Sequence, residues 1–306
     1  MNKENLSQKQ QEYLVSVIIP FYKGVQFIEN AIISVKNQTY KNIELIVVND
    51  SPEDMFYADF LEKLQNKYKF ILLHHDFNSG ITRSLITGFN NSSGNYICFL
   101  AQDDLFLKNK IELQIEFFNK NKNCFILYGN MEFFYEDKDK KEIPDIHDTI
   151  KKIRNKKIFP SLYHKNLDGL YVQTMMIKRD IVKKDIIPVW RKYKADGWPI
   201  HITIFQNYEN NIFFLENILT TYRIHSSNTI HDKKKMFSLI LPTIIDFCPK
   251  EQQNIAISNY LYLLEIKKSN KNLVNFLLKK ISNLLMVFFP KKTRKKIKNK
   301  IKKLLI

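Results

Sequence analysis

Two groups of side chains able to do chemistry leave the same kind of element. Asp103-Asp104 follows the apolar run Tyr96-Ile97-Cys98-Phe99-Leu100, and Asn49-Asp50 follows Ile43-Glu44-Leu45-Ile46-Val47-Val48. A third run, Val15-Ser16-Val17-Ile18-Ile19, precedes both. In an open α/β sheet, ligands bind just outside the carboxyl ends of the strands. Carboxylates at those ends suit a bound metal, or a base that offers N–H donors.

These carboxylates need strands beneath them. β-Branched residues dominate the three runs, and polar or turn residues bound each, which favours strand over a buried piece of helix. Pro20 is expected to stop the first run. A helix is predicted at about 26–36, where Phe27, Ala31 and Val35 stand four apart with Ile28 and Ile32 beside them. After the second strand come a helix at about 53–68, a strand at 70–74, a helix at 81–91, the strand at 96–100 and a helix at 109–119. This alternation implies parallel pairing with right-handed crossovers. Near-continuous apolar strands imply a sheet covered on both faces. The predicted class is therefore α/β. Neither Gly-x-Gly-x-x-Gly nor the P-loop pattern follows the first strand, which runs into Pro20-Phe21-Tyr22-Lys23-Gly24. A carboxylate-held metal is the natural alternative for a diphosphate ligand.

Taken in order, these residues resemble the family 2 glycosyltransferases, which have the GT-A fold, a Rossmann-like, mostly parallel sheet flanked by helices. The resemblance opens at Val15–Tyr22 and continues through Ser34-Val35, Gln38-Thr39-Tyr40 and Ile46–Asp50. It includes Asn78-x-Gly80, Gly94–Ile97 and Phe99–Asp104, then Ala195-Asp196-Gly197-Trp198 and Tyr222–Asn228. The ordered set spans about residues 14–229 and is far more specific than any one motif.

The resemblance implies inverting transfer of a sugar from a nucleotide-sugar donor to a hydroxyl. It implies a donor site of Pro20, Tyr22, Asp50, Arg83, Asp103 and Arg223. Tyr22 stacks on the base, and Asp50 accepts the N3–H of uracil or thymine. Asp103 binds Mg²⁺ or Mn²⁺, with His225 completing the metal shell or touching the diphosphate. Arg83 and Arg223 pair with phosphate oxygens in a fork that Lys cannot match. Asp196 is the base that takes the acceptor's proton. The sequence departs from the usual pattern at four places. Ala101 stands for the first acid of Asp-x-Asp, Asn49 for the first acid of Asp-Asp-Gly-Ser, Ser51-Pro52 for its Gly-Ser, and Lys23 for an Asn.

Plainer readings stand beside these. Asp is a favoured N-cap, so Asp50 and Asp104 also fit as caps of the helices that follow. Asp196-Gly197 also fits a turn, His225 a satisfied polar residue, and Tyr22 simple packing. Two rival classes remain open. A nucleotidyltransferase would show a glycine-rich basic loop after the first strand, and that loop is absent. A non-catalytic protein of the same fold, docking partners at a membrane, is kept open by Ala101.

Charge and composition bound the rest. The 306 residues carry a formal net charge of +17. From Ile266 to Ile306 there is no acid, and the bases are Lys267, Lys268, Lys271, Lys279, Lys280 and nine more from Lys291 to Lys303. The basic character belongs to this tail. In it Leu273, Leu277, Ile281, Leu284, Leu285 and Phe288 recur at helical spacing, Pro290 interrupts, and Ile297, Ile301, Leu304 and Leu305 form a stripe opposite lysines. A basic amphipathic helix suits an anionic membrane surface, and no aromatic interleaving points to nucleic acid. The alternative is a helix packed on the catalytic domain.

The chain divides on this reading into a disordered, polar segment 1–12, a GT-A domain 13–230, and a helical region 231–306 ending in the basic tail. Within it, 136–148 is expected to be an exposed loop and 151–170 a basic loop over the acceptor side, with helices across 231–264. Met1–Glu12 lacks the apolar core of a signal peptide, and no run approaches a membrane span. Three scattered cysteines, Cys98, Cys124 and Cys248, argue for a reducing compartment. The expectation is a cytoplasmic glycosyltransferase, peripheral on the inner face of the cell membrane. It would use UDP-sugars by preference and act on a growing bacterial surface glycan or a lipid-linked acceptor.

Overall fold

A computed structural model describes residues 13–164, 169–228 and 231–263. The segment 1–12 and the basic tail from 264 onward, read above as disordered and as amphipathic helix, lie outside the described residues.

The first half alternates as expected: β1 (Val15–Phe21), α1 (Val25–Lys36), β2 (Ile43–Asn49), α2 (Met55–Tyr68), β3 (Ile71–His74), α3 (Ile81–Asn90) and β4 (Tyr96–Phe99). All pairs among these strands are parallel, with Ile18 opposite Ile46 on one side and Phe99 on the other. Successive side chains of β1 point to opposite faces. Val15, Val17, Ile19 and Phe21 pack with the buried stripe Ile28, Ala31, Ile32 and Val35 of α1. Ile18 packs on the other face with Leu85, Ile86 and Phe89 of α3. Both faces are therefore covered, as the unbroken apolar runs require.

Pro20 does not stop β1, which continues to Phe21. The Ile18 carbonyl faces β4, accepting from Leu100 N–H, while the Phe21 carbonyl faces the other way, accepting from Asp50 N–H. Alternation turns the nitrogen of Pro20 toward the β4 side, where that strand has already ended. The missing donor costs the ladder nothing.

The second half is mixed. After β5 (Leu105–Phe106) and α4 (Lys110–Lys120) come β6 (Ile126–Tyr135), β7 (Lys140–Glu142), α5 (His147–Arg154) and β8 (Met176–Lys178). Then α6 (Arg179–Ile181), a π turn Val182–Ile186, α7 (Ile187–Lys192), α8 (Trp198–Tyr208) and β9 (Ile212–Ile224) follow. The strands stand in the order β3-β2-β1-β4-β8-β6-β9-β5, with β7 on β6. β8 is antiparallel to β4 and β6, β9 runs parallel to β6, and β5 is antiparallel to β9. Segment 136–148 is not a simple loop: a 3-10 turn, β7 and the start of α5 occupy it. The basic segment after 151 likewise begins as helix, because Thr149, Ile150 and Ile153 give α5 a buried side. The expected C-terminal helices are α9 (Lys233–Phe247) and α10 (Gln253–Leu263). They are tied in by Tyr193 O–H on Asp246 at 2.7 Å and by the Trp198–Tyr260 ring pair at 6.1 Å. Among the described residues, no helix is long and apolar enough to cross a membrane.

Two buried polar groups at the head of α4 tie the second half together and reach β4 of the first through Lys110 Nζ and Cys98 Sγ, 3.8 Å apart. Lys110 is fully buried at the head of α4; its ammonium donates to Gln114 Oε1 at 2.6 Å and lies 4.4 Å over the Phe106 ring. Gln114 Nε2 in turn donates to the carbonyls of Leu127 and Thr174. At the other end of the sheet, Gly94 packs against β1 so closely that a Cβ would lie 2.6 Å from Ser16 N and 3.0 Å from the Leu14 carbonyl oxygen. Backbone cannot yield as a side chain can, so Gly94→Ala should cost about 1–3 kcal/mol of stability, read as a lower urea midpoint at unchanged slope.

Candidate active site

The carboxyl ends of β1, β2 and β4 form one rim. At β2, Asp50 is 3 % exposed and caps no helix; the cap of α2 is Asp54, which accepts from Phe56 N–H. Asp50 instead organises the loop after β3. Its Oδ1 accepts from Ser79 N–H at 2.7 Å and meets His75 Nδ1 at 2.8 Å, and its Oδ2 accepts from Gly80 N–H at 2.8 Å. Asn78 donates to the Asp50 carbonyl. Gly80 has φ +83°, a conformation that favours glycine, which explains the Asn78-x-Gly80 motif. Asn49 turns inward and accepts from Ser51 N–H.

At the end of β1 the ring of Tyr22 is 48 % exposed. Its backbone is pinned by Gln102: Oε1 accepts Tyr22 N–H at 2.8 Å, and Nε2 donates to the Tyr22 carbonyl at 3.0 Å. Lys23 stands at φ +54°, which accounts for the usual Asn there. Its N–H donates to Ser51 Oγ and its ammonium pairs with Glu53 at 2.7 Å.

Beyond β4, Asp103 and Asp104 have separate tasks. Asp104 is 1 % exposed and caps nothing; Oδ1 accepts Arg223 N–H at 3.0 Å, and Oδ2 accepts from Gln173 Nε2 at 3.0 Å. Burial first, and then the neighbouring Asp103 charge, push its carboxyl well above the usual range. Asp103 remains partly open, with 20 % of its side chain exposed. Its Oδ2 lies 3.0 Å from His225 Nε2 and 3.1 Å from Asn228 Nδ2. The His225 ring packs 4.3 Å from that of Phe27. Arg223 is committed to the protein: Nε donates to the Asp103 carbonyl at 3.2 Å, Nη1 to Glu136 at 3.1 Å, and the guanidinium lies over Phe27.

Asp196 enters from the turn before α8. Its carbonyl accepts Trp190 Nε1–H at 2.9 Å. Tyr222 joins it electrostatically to the others: burial and the charges of Asp104, Asp103 and Asp196 all push the Tyr222 phenol upward. Pro20, Tyr22, Asp50, Asp103, Arg223 and His225 thus gather on one rim, with Asp196 within electrostatic reach. Arg83 stands on the first turn of α3, just beyond the Gly80 that bonds Asp50; it is exposed and meets no acid among the described residues. The sequence reading missed Gln102, His75, Gln173 and Asn228. Gln102 and Asn228 carried a signal, since each belongs to a motif already singled out.

The donor set around Asp103 fits a hard cation. Asp103 and His225 converge, while among the described residues no group of three or more His, Cys, Asp or Glu forms a cage. Mg²⁺ and Mn²⁺ sites of this kind take one or two protein groups and finish the shell with phosphate and water. Asp50→Asn should put an amide N–H₂ against Gly80 or Ser79 N–H and lower stability by about 1–3 kcal/mol, measured by thermal melting.

The profile of glycosyl transferase family 2 matches residues 16–185. An uncharacterized glycosyltransferase of Rickettsia typhi, RT0329, is 32 % identical over 234 residues, covering 72 % of this chain and 68 % of that protein. An Escherichia coli protein named UDP-Glc:alpha-D-GlcNAc-diphosphoundecaprenol beta-1,3-glucosyltransferase WfgD is 38 % identical over 121 residues, covering 40 % of this chain and 47 % of that protein. The chain spans only 17–20 % of the length of other curated Rickettsia relatives it matches. In fold it is similar to residues 1–349 of S. aureus TarS, solved in complex with UDP-GlcNAc. The TM-score is 0.60 at 16 % identity, covering 87 % of this chain and 81 % of that one. The match to the family profile over more than half its length, on a mixed α/β sheet of the GT-A kind, makes this chain a member of glycosyl transferase family 2.

Proposed function

We propose that this chain transfers a sugar, with inversion, from a nucleotide diphosphate-sugar to a hydroxyl of a growing bacterial surface glycan or lipid-linked oligosaccharide. The observation that carries this reading is the gathering of Tyr22, Asp50, Asp103 and His225 on one rim with Asp196 nearby. The TarS neighbour binds UDP-GlcNAc, and the E. coli relative is named for UDP-Glc and a diphosphoundecaprenol acceptor. Both favour a UDP-sugar here.

The residues divide the work. Tyr22 offers an open ring face to the base. Asp50 uses three of about four acceptor positions on its own loop, which leaves one suited to the N3–H of uracil or thymine. Asp103 and His225 would hold Mn²⁺ or Mg²⁺, which when bound would supply positive charge to the leaving diphosphate. Arg223 fixes the backbone of Asp103 from behind. Asp196 accepts the proton of the acceptor hydroxyl as its oxygen bonds to the anomeric carbon. The bond to the diphosphate breaks on the opposite face, so one displacement inverts the configuration. The tail 266–306 is the element suited to hold the enzyme peripherally on the cytoplasmic face of an anionic membrane, beside a lipid-linked acceptor.

The test is release of UDP from UDP-sugars, with a polyprenyl diphosphate-linked GlcNAc acceptor and Mn²⁺. Asp196→Asn should keep donor binding while kcat falls about 10²–10⁴-fold. Asp103→Ala should lose metal-dependent binding of the diphosphate. Full turnover in both variants would overturn the roles given to Asp103 and Asp196, and a wild type that releases no UDP from any UDP-sugar would sink the reading and favour a non-catalytic docking protein, the alternative that Ala101 suggests.

A further inference from the structure

We infer that Gln102 is a positioning residue for the donor's base, acting through the backbone of Tyr22; this rests on the nucleotide-sugar reading above. A primary amide is the complement of a peptide unit, with one donor and one acceptor side by side. Gln102 uses both on a single residue, at 2.8 Å and 3.0 Å. Two bonds to one residue fix its orientation as well as its position. Orientation matters here because the Tyr22 ring is nearly half exposed, so burial does not set its direction.

The surrounding chain is shaped for this clamp. A Cβ on Gly24 would lie 2.3 Å from Gln102 Cδ and 2.5 Å from both Oε1 and Nε2. Any other residue at 24 would push the amide away. Gly24 has a negative φ, so what it provides is space, not an unusual backbone. On its other side the loop is tied by Lys23 N–H to Ser51 Oγ at 3.0 Å. The segment carrying Tyr22 is thus held between the residue before Asp103 and the residue after Asp50. Its neighbour Ala101 has no polar side chain, so in this motif the variable middle position carries the polar contact. Gln102 thereby couples the two ends of a bound donor, the base over Tyr22 and the diphosphate beside Asp103.

A double-mutant cycle separates this role from a general structural one. The full-length wild type, Gln102→Ala, Tyr22→Ala and the double variant are titrated calorimetrically with UDP and dTDP in the presence of Mn²⁺, with melting temperatures recorded. Loss of two neutral hydrogen bonds predicts that Gln102→Ala weakens nucleotide binding about tenfold in the wild-type background. In the Tyr22→Ala background it should do so less than about twofold. Gln102→Glu keeps the acceptor, sets an oxygen against the Tyr22 carbonyl, and should weaken binding as well. Unchanged affinity in Gln102→Ala, or an equal loss in both backgrounds, would overturn the clamp while leaving the enzyme reading intact. A wild type that binds neither nucleotide would overturn the enzyme reading and the clamp with it.

Discussion

A carboxyl group with no access to water must find its partners inside the protein, and that requirement at Asp104 organises the site. Its two oxygens are answered by the Arg223 backbone and the Gln173 amide. One partner lies at the end of β9 and the other in the turn before β8, so both segments must close over the β4–β5 connection. The short pairing of Leu105 with Thr221 and Phe106 with Thr220 follows from the same closure. Once β9 is seated, Arg223 reaches the Asp103 carbonyl, and the chain beyond it brings His225 and Asn228 to the Asp103 carboxylate. The buried acid is thus the structural member of the pair, and its neighbour is the one left partly open.

The two halves of the sheet contribute differently. The parallel half is a rim whose loops are short and tied by polar side chains, as at Asp50. The mixed half delivers side chains from far along the sequence: Asp104 and Arg223 are separated by 119 positions. Precision at the rim comes from packing on both sheet faces, and precision at Asp103 from hydrogen bonds between segments that pack less regularly.

Much of the parallel half was legible in the sequence. Its strands are buried on both faces, so their apolar runs are continuous, and α1 shows a clean stripe. Pro20 misled because its effect depends on which side of β1 still has a neighbour, and that is a fact of tertiary pairing. Strands β6, β8 and β9 were not read, since β8 is only three residues long, β6 carries Gly129 and Asn130 inside it, and β9 includes Glu216 and Asn217 in its middle. Asp50, Asp103 and Asp196 were found by position in ordered motifs. The sequence separated Asp103, read as a metal ligand, from Asp104, read as a helix cap; that Asp104 is instead buried against Gln173 and Arg223 was not legible, because those partners lie 69 and 119 positions away. His75 carried no local signal, and Gln102 stood in a quoted motif without its contact showing: each acts on a residue remote in the chain.

The sequence distance closed by Asp104 also has a temporal meaning. Chains emerge from the ribosome amino end first. The loop that Asp50 organises is complete once Gly80 has been made, whereas the partners of Asp103 and Asp104 come with Gln173, Arg223, His225 and Asn228. A nascent chain therefore holds the Asp50 loop long before it holds the assembled surroundings of Asp103, and the two are united only when β9 inserts between β6 and β5. Synthesis itself delays the completion of this rim until most of the fold exists around it.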